Sequence, residues 1–266
     1  MRIRAIAING FGNLLRNKLI LLFCAGFVCI LMLFMTPLLT VRSMASTLGA
    51  GTAAQLALSE ITIAMTLMGG FGSLLAAWAA ADAAASEVRS GTILAVLARP
   101  VRRWEFLLGK YLGVMMLMAV YAAFLLGMTY LLTAISGHQV QNSPLPLAAY
   151  LLARYAIYAA IGMLLGILMH PVLAFGAVLV IAQLASMVAP GARPDWMPVW
   201  VRDGLFVILP STHLLSEDRF LEIAQASLRS TTWTQHLTSL IYGLDYAAVC
   251  FLLAVWAFRR KSLTRE

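Results

Sequence analysis

The stretch 86-SEVRSGTILAVLARPVRRWEFLLGK-110 separates two long apolar runs of the chain. It carries five cations (Arg89, Arg99, Arg102, Arg103 and Lys110) against two acidic residues, Glu87 and Glu105. Its middle, residues 92–98, is apolar enough to bury one face. This composition is typical of a short amphipathic helix at the boundary between membrane and cytosol. We therefore expect the rest of the chain to form a membrane body that presents this segment to a partner.

Composition agrees with a membrane body. The chain has 266 residues, of which 62% are apolar and 11% charged, whereas soluble domains have about 45–50% apolar and about 25% charged residues. The net charge of +8 raises the question of nucleic acid binding. Most cations flank apolar runs, however, where they set topology, so we expect a lipid bilayer and no nucleic acid as surroundings.

Six apolar runs are each long enough to cross a hydrocarbon core of about 30 Å. They lie at about residues 19–40, 61–84, 111–135, 147–169, 171–189 and 237–258. Before the first run, residues 1–18 have the pattern of an amphipathic helix that lies on the membrane surface. The sequence thus predicts an all-α membrane protein with six transmembrane helices in a single domain, residues 1–266.

The distribution of charge predicts that both termini are cytoplasmic. With the N-terminus inside, thirteen of the nineteen Lys and Arg residues lie in the inner segments, and the outer loop 136–146 has none. This bias matches the positive-inside rule. The outer segment 190–236 is too apolar for a free loop, so it predicts a short interfacial or half-inserted helix followed by an amphipathic helix at about 214–228.

The central stretch resembles a family motif. Glu87, Gly91-Thr92, Leu94, Leu97, Arg99-Pro100-Val101, Arg103 and Gly109-Lys110 are similar to a pattern that follows the second span in permease subunits of ABC-2 type transporters. The six spans, the amphipathic N-terminus and the outer helices match the same architecture. Within that family the chain most resembles the small permeases grouped with the copper-enzyme maturation transporter of nitrous oxide reductase.

The resemblance implies that the stretch forms a cytoplasmic coupling helix, which sits in a groove of a separate ATP-binding subunit. The residues expected to contact that subunit are Glu87, Arg89, Gly91, Thr92, Ile93, Val96, Leu97, Arg99, Pro100 and Arg103. Thr92, Ile93, Val96 and Leu97 offer the apolar face, and Glu87 is able to accept a charge-assisted hydrogen bond. The alternative is a basic juxtamembrane loop that only sets topology.

The resemblance further implies a permease subunit with no catalytic residues of its own. Two ATP-binding subunits would bind ATP and Mg²⁺, a second permease copy would complete a homodimer, and the assembly would lie in the bacterial inner membrane, most often as an exporter. The pair Gly109-Lys110 is not a phosphate-binding loop, because Trp104 replaces the required Gly and Tyr111 the required Ser or Thr.

Three ionisable residues fall inside predicted spans and are candidate functional residues: Asp82, Arg154 and Asp245. Asp82 is close to the inner end of its span, which favours a solvated position. We expect Arg154 and Asp245 to pair or to line an outward polar cavity together. The alternative is that Arg154 extends to the outer interface and Asp245 bonds to a Tyr or to backbone. Gly162 and Gly166 form a Gly-x-x-x-Gly pattern that serves packing either within the subunit or between copies.

No metal site is predicted. The fourteen Met residues are scattered through apolar helices and fit core packing better than copper binding. The three Cys all lie in apolar runs. Two other classes of function stay open beside the transporter: a membrane anchor or assembly subunit without transport, and an integral membrane enzyme. Secondary transport would require repeated halves with broken helices, which the sequence lacks.

Overall fold

The structure is a computed structural model. It describes residues 2–18, 22–23, 25–29, 32–33, 40, 43, 49–90, 102–136, 144–188, 198–215 and 232–260. Every regular element in this part of the chain is helical, which confirms the predicted all-α class. The helices are α1 (Arg2–Leu15), α2 (Ala50–Ser90), α3 (Arg103–Ser136), α4 (Pro144–Leu168), α5 (Pro171–Val188), α6 (Val199–Ile208), the 3-10 helix η1 (Thr212–Leu215) and α7 (Thr232–Arg260).

Five of the described helices are long and apolar enough to cross a membrane. Their candidate spans are Thr66–Ala85, Arg103–Met128, Leu147–Leu168, Pro171–Val188 and His236–Arg260. Each of them overlaps one of the last five predicted spans. The first predicted span, 19–40, lies mostly outside the described residues.

Helix α4 is the centre of the bundle. It packs most extensively against α2 and α7 and also contacts α3 and α5. Large side chains along its length, including Tyr150, Tyr155, Ile157 and Met163, are almost completely buried. Since lipid tails are as apolar as these side chains, close packing rather than the hydrophobic effect must hold the helices together.

Helices α4 and α2 are in close backbone contact at two glycines of α4. A Cβ atom added at Gly162 would collide with the carbonyl oxygen of Ala77, and one at Gly166 would lie 2.6 Å from that of Ala81. Both pairs are four residues apart, so one turn of each helix rests on the other. The Gly-x-x-x-Gly pattern therefore serves packing inside one subunit, which decides between the two alternatives.

Nearer the N-terminal end of α2, the absence of a side chain at Gly72 leaves space for two tyrosine rings. A Cβ at Gly72 would be 2.5 Å from both the Cε1 atom of Tyr121 and the hydroxyl oxygen of Tyr155. The Tyr121 hydroxyl donates a hydrogen bond of 2.8 Å to the Met68 carbonyl, and the Ser73 hydroxyl donates one of 3.1 Å to the Gly69 carbonyl. The small residues of this turn thus permit a polar, aromatic contact between α2, α3 and α4.

The link between α4 and α5 is as short as the sequence predicts. Helix α4 ends at Leu168 and α5 begins at Pro171, where proline suits the first helical turn because that turn leaves its N–H groups unpaired. The backbone N–H of Ala174 donates to the His170 carbonyl at 2.9 Å and closes the first turn of α5. The two helices therefore form a tight hairpin.

Between α5 and α7, the described residues 198–215 contact the bundle. The Tyr246 hydroxyl of α7 donates to the Ile208 carbonyl at 3.0 Å, and the Tyr242 hydroxyl accepts from the Ser211 N–H at 2.8 Å. Leu215 is buried in the main core. Helix α6 agrees with the predicted short helix in this segment, whereas most of the predicted helix at 214–228 lies outside the described residues.

Replacing Gly162 by Ala should destabilise the protein, whereas Gly176→Ala should not. Both changes add the same methyl group and the same helix propensity, about 1 kcal/mol. A Cβ at Gly176 has no atom within 4 Å, while one at Gly162 meets the backbone of Ala77. Overpacking of this kind costs about 1–3 kcal/mol, so the apparent melting temperature in detergent should fall for the first variant only. Equal melting temperatures would contradict the contact.

Candidate functional site: the helix junction beside the coupling segment

The predicted coupling segment begins at the end of one described helix and finishes at the start of another. Glu87 and Arg89 belong to the last turns of α2, and Arg103 is the first residue of α3. The remaining predicted contact residues, namely Gly91, Thr92, Ile93, Val96, Leu97, Arg99 and Pro100, lie outside the described residues. The described residues of the site are those that hold its two ends. We call this region, residues 2–18, 82–90, 102–113 and 256–260, the helix junction.

Helix α3 begins with a side-chain cap. The Glu105 carboxylate accepts a hydrogen bond of 3.1 Å from the Arg102 backbone N–H. The N–H groups of Glu105 and Phe106 donate to the Arg102 carbonyl at 3.0 and 3.2 Å. This is half of a capping box, with the acidic residue three positions after the N-cap. The chain thus leaves the coupling segment through a well-defined first turn.

Arg103 connects this first turn to the end of α7. Its Nη1 atom donates hydrogen bonds to the carbonyl oxygens of Arg259 at 3.1 Å and Phe258 at 3.4 Å. These carbonyls belong to the last turn of α7, where cations interact favourably with unpaired acceptors. One turn further on, the Phe106 ring stacks on the buried Phe258 ring at 6.3 Å between centroids. The sequence predicts Arg103 as an ATPase contact, and the structure shows a role for it within the chain.

Helix α1 packs closely across the start of α3. A Cβ at Gly109 would lie 2.6 Å from the Ile6 Cγ2 atom, and one at Gly113 would lie 2.9 Å from the Ala7 carbonyl oxygen. The same spacing as in α4, Gly-x-x-x-Gly, again gives a close helix crossing. Between the two glycines, Lys110 is only 7% exposed, and its ammonium group lies 5.8 Å from the centroid of the Phe106 ring.

A polar contact joins the end of α1 to α2. The Asn17 side-chain amide donates a hydrogen bond of 2.9 Å to the Asp82 carboxylate, and both residues are half-buried. Asp82 lies about two turns before the end of α2, at the level of the helix junction. Asp82 is thus half-buried, and its carboxylate has a structural partner just after α1. The solvated position at the inner end of its span stays a prediction.

The structure does not bring Arg154 and Asp245 together within the described chain. Arg154 is half-buried on α4, with its Nη2 atom 3.9 Å from the position of a Cβ at Gly70 of α2. Asp245 is on the exposed side of α7. Two residues before it, about 200° around the helix, Gly243 faces Ala153 of α4 at 3.2 Å. The two charged residues therefore face different neighbours.

The described residues contain no group of three or more His, Cys, Asp or Glu side chains placed to hold a metal ion. His236 has a different contact, in which its Nδ1 atom lies 3.0 Å from the Tyr150 hydroxyl. The described polar groups of the junction, such as Asn17, Asp82, Arg103 and Glu105, hold helices in place. The described contacts of the junction are therefore structural contacts between helices.

Comparison with known protein families gives one match that covers almost the whole chain. The model described as "ABC-2 family transporter protein" matches residues 4–263. The chain belongs to the ABC-2 family. No curated protein matches the sequence. Membership in the ABC-2 family, together with the five apolar helices, makes the chain a multi-pass membrane protein of a transporter family. It also confirms the resemblance found in the central stretch.

If the Asn17–Asp82 contact holds α1 on α2 in this ABC-2 family protein, Asp82→Ala should lower its stability. Hydrogen bonds to charged groups contribute about 1.5–3 kcal/mol, and the variant leaves the Asn17 amide without its acceptor. Asp82→Asn should retain most of the stability, because an amide oxygen in the same place still accepts. Melting temperatures in detergent measure both effects.

A double-mutant cycle supplies the control for this prediction. Asn17→Ala with Asp82→Ala should be no less stable than Asp82→Ala alone, since neighbouring residues that share one interaction are not additive. Fully additive losses would mean that the two side chains stabilise the protein independently.

Proposed function

We propose that the chain is the membrane-spanning permease subunit of an ATP-driven transporter, with residues 1–266 acting as a single permease domain. Membership in the ABC-2 family supports a permease that works with a separate ATP-binding subunit. The coupling segment, residues 86–103, is the contact with that subunit. Gly91 and Pro100 shape its ends, and Thr92, Ile93, Val96 and Leu97 enter the groove. Glu87, Arg89 and Arg99 supply charged contacts at the rim.

The observation that carries this proposal is the way the helix junction holds both ends of the segment. The α2 end continues into the turns that pack on α4 and is tied to α1 through Asp82. The α3 end is capped by Glu105 and bound to α7 through Arg103. Such fixation of both ends suits a segment that passes a movement on to the helices beside it. A push on the segment would reach α1, α4 and α7 through these contacts.

The assembly we propose contains two permease copies and two ATP-binding subunits, in the bacterial inner membrane with all permease termini cytoplasmic. The cations of the helix junction favour this orientation, since Arg4, Arg16, Arg102, Arg259 and Arg260 are all exposed there. ATP binding would close the ATPase pair, and the cleft between permease copies would open or contract for export. A shift of this kind requires contacts that differ in strength between the two states.

Co-purification tests the proposal. The tagged chain, extracted in mild detergent, should bring with it an ATP-binding protein with ATPase activity. Glu87→Lys and Gly91→Trp should reduce the amount of bound ATPase or its activity. Asp203→Lys is the matched control, because it makes the same change in net charge on the exposed side of α6, outside the junction. The control should retain the partner.

Two results would contradict the proposal. Absence of an ATPase under every extraction condition would remove the basis for a coupling segment and favour a membrane enzyme. A bound ATPase whose activity is unaffected by any change in 86–103, in a permease dimer with a sealed apolar interface, would favour an anchor or assembly subunit.

A further inference from the structure

We propose that Arg103 is a positioning residue that links the coupling segment to the last membrane helix, α7, rather than a contact with the ATPase. This inference rests on the proposed function. In the described chain, Arg103 is the residue through which the α3 end of the segment holds the α7 backbone. Its guanidinium donates to two successive carbonyls in the last turn of α7, those of Phe258 and Arg259.

The geometry makes this contact a connection between rigid parts. Arg103 stands in the first turn of α3, which is held by the Glu105 cap. Phe258 is only 1% exposed and packs into the main core, so the end of α7 is not a frayed terminus. Helix α7 otherwise packs mainly on α4 and makes few contacts with α3. A displacement of the first turn of α3 therefore acts on α7 through Arg103 and the neighbouring stack of Phe106 on Phe258.

Arg103 is suited to this role in a way that its neighbour Arg102 is not. Arg102 is exposed, and its hydrogen bond to Glu105 is made by the backbone N–H. The planar guanidinium of an Arg presents several N–H donors in a fixed geometry, whereas a Lys presents a single compact charge. Arg103→Lys should thus keep part of the attraction to the carbonyls of α7, and Arg103→Gln should lose the charge.

The α2 end of the coupling segment is held by contacts that can be compared with the Arg103 contact at the α3 end. Helix α2 is held by α1 through Asn17 and Asp82 and by α4 through Gly162 and Gly166. Neither contact involves Arg103. Loss of the Arg103 contact should therefore disconnect α7 while the movement of α1 and α2 is retained. A merely structural role for Arg103 would affect both parts alike.

The experiment uses the purified complex with its ATPase and two fluorescent reporters. In a chain whose Cys24, Cys29 and Cys250 are replaced by Ala, a bimane label is attached at Arg259→Cys or at Lys18→Cys. The first position lies at the end of α7, where the backbone carbonyl and not the side chain binds Arg103. The second is an exposed residue beside Asn17. The emission of each label is recorded before and after addition of ATP with vanadate.

We expect a nucleotide-driven change at both reporters in the parent complex. Arg103→Gln should abolish the change at position 259 and retain it at position 18, with the ATPase still bound and its KM for ATP unaltered. Arg103→Lys should restore part of the change at 259. Arg102→Gln, the matched control, should behave as the parent.

The outcomes separate the two proposals. A full response at position 259 in Arg103→Gln, with the ATPase bound, would overturn the link and leave the proposed function standing. Equal loss at both reporters in Arg103→Gln would also overturn the link, because it would show a general structural effect. Absence of any response in the parent complex would overturn the proposed function together with the link.

Discussion

The close contact between α2 and α4 is the constraint on which the rest of the structure depends. In a bilayer the hydrophobic effect does not press helices together, so backbones must approach closely for dispersion and packing to hold them. Gly162 and Gly166 allow this approach to the backbone at Ala77 and Ala81. Because α4 also packs on α7 and forms the hairpin with α5, the α2–α4 pair helps to fix the position of these two helices as well.

This constraint gives the two ends of the coupling segment different mechanical properties. The α2 end belongs to a helix that is in backbone contact with the centre of the bundle. The α3 end is held by side-chain hydrogen bonds to α7 and by the crossing with α1 at Gly109 and Gly113. Packed helices switch between discrete arrangements rather than deform continuously. A displacement of the segment would therefore act on α4 at its α2 end, and on α1 and α7 at its α3 end.

The sequence predicts the helices well and their partners poorly. Long apolar runs reveal spans because a helix must be a certain length to cross hydrocarbon. Gly162 and Gly166 are recognisable as a packing pattern, but the sequence does not predict that they pack against α2. Gly109 and Gly113 have the same spacing, but the sequence does not predict their contact with α1. Gly109 is assigned instead to the family motif, together with Lys110. The contact of Arg103 is not predictable from a pattern, because its acceptors are backbone carbonyls 155 and 156 residues away.

The ionisable residues of the spans illustrate the same limit. Depth along a span suggests that Arg154 and Asp245 pair, but helix rotation decides which face each one occupies, and the packing of Gly243 on Ala153 turns Asp245 away from α4. Tyr242 and Tyr246, on either side of Asp245 in sequence, bond to the backbone at Ser211 and Ile208. Non-helical backbone such as residues 209–211 is tolerated at membrane depth only inside protein or beside water. The two tyrosine hydroxyls bond this backbone within the protein. Helix rotation, rather than depth along the span, therefore decides that Asp245 lies away from Arg154.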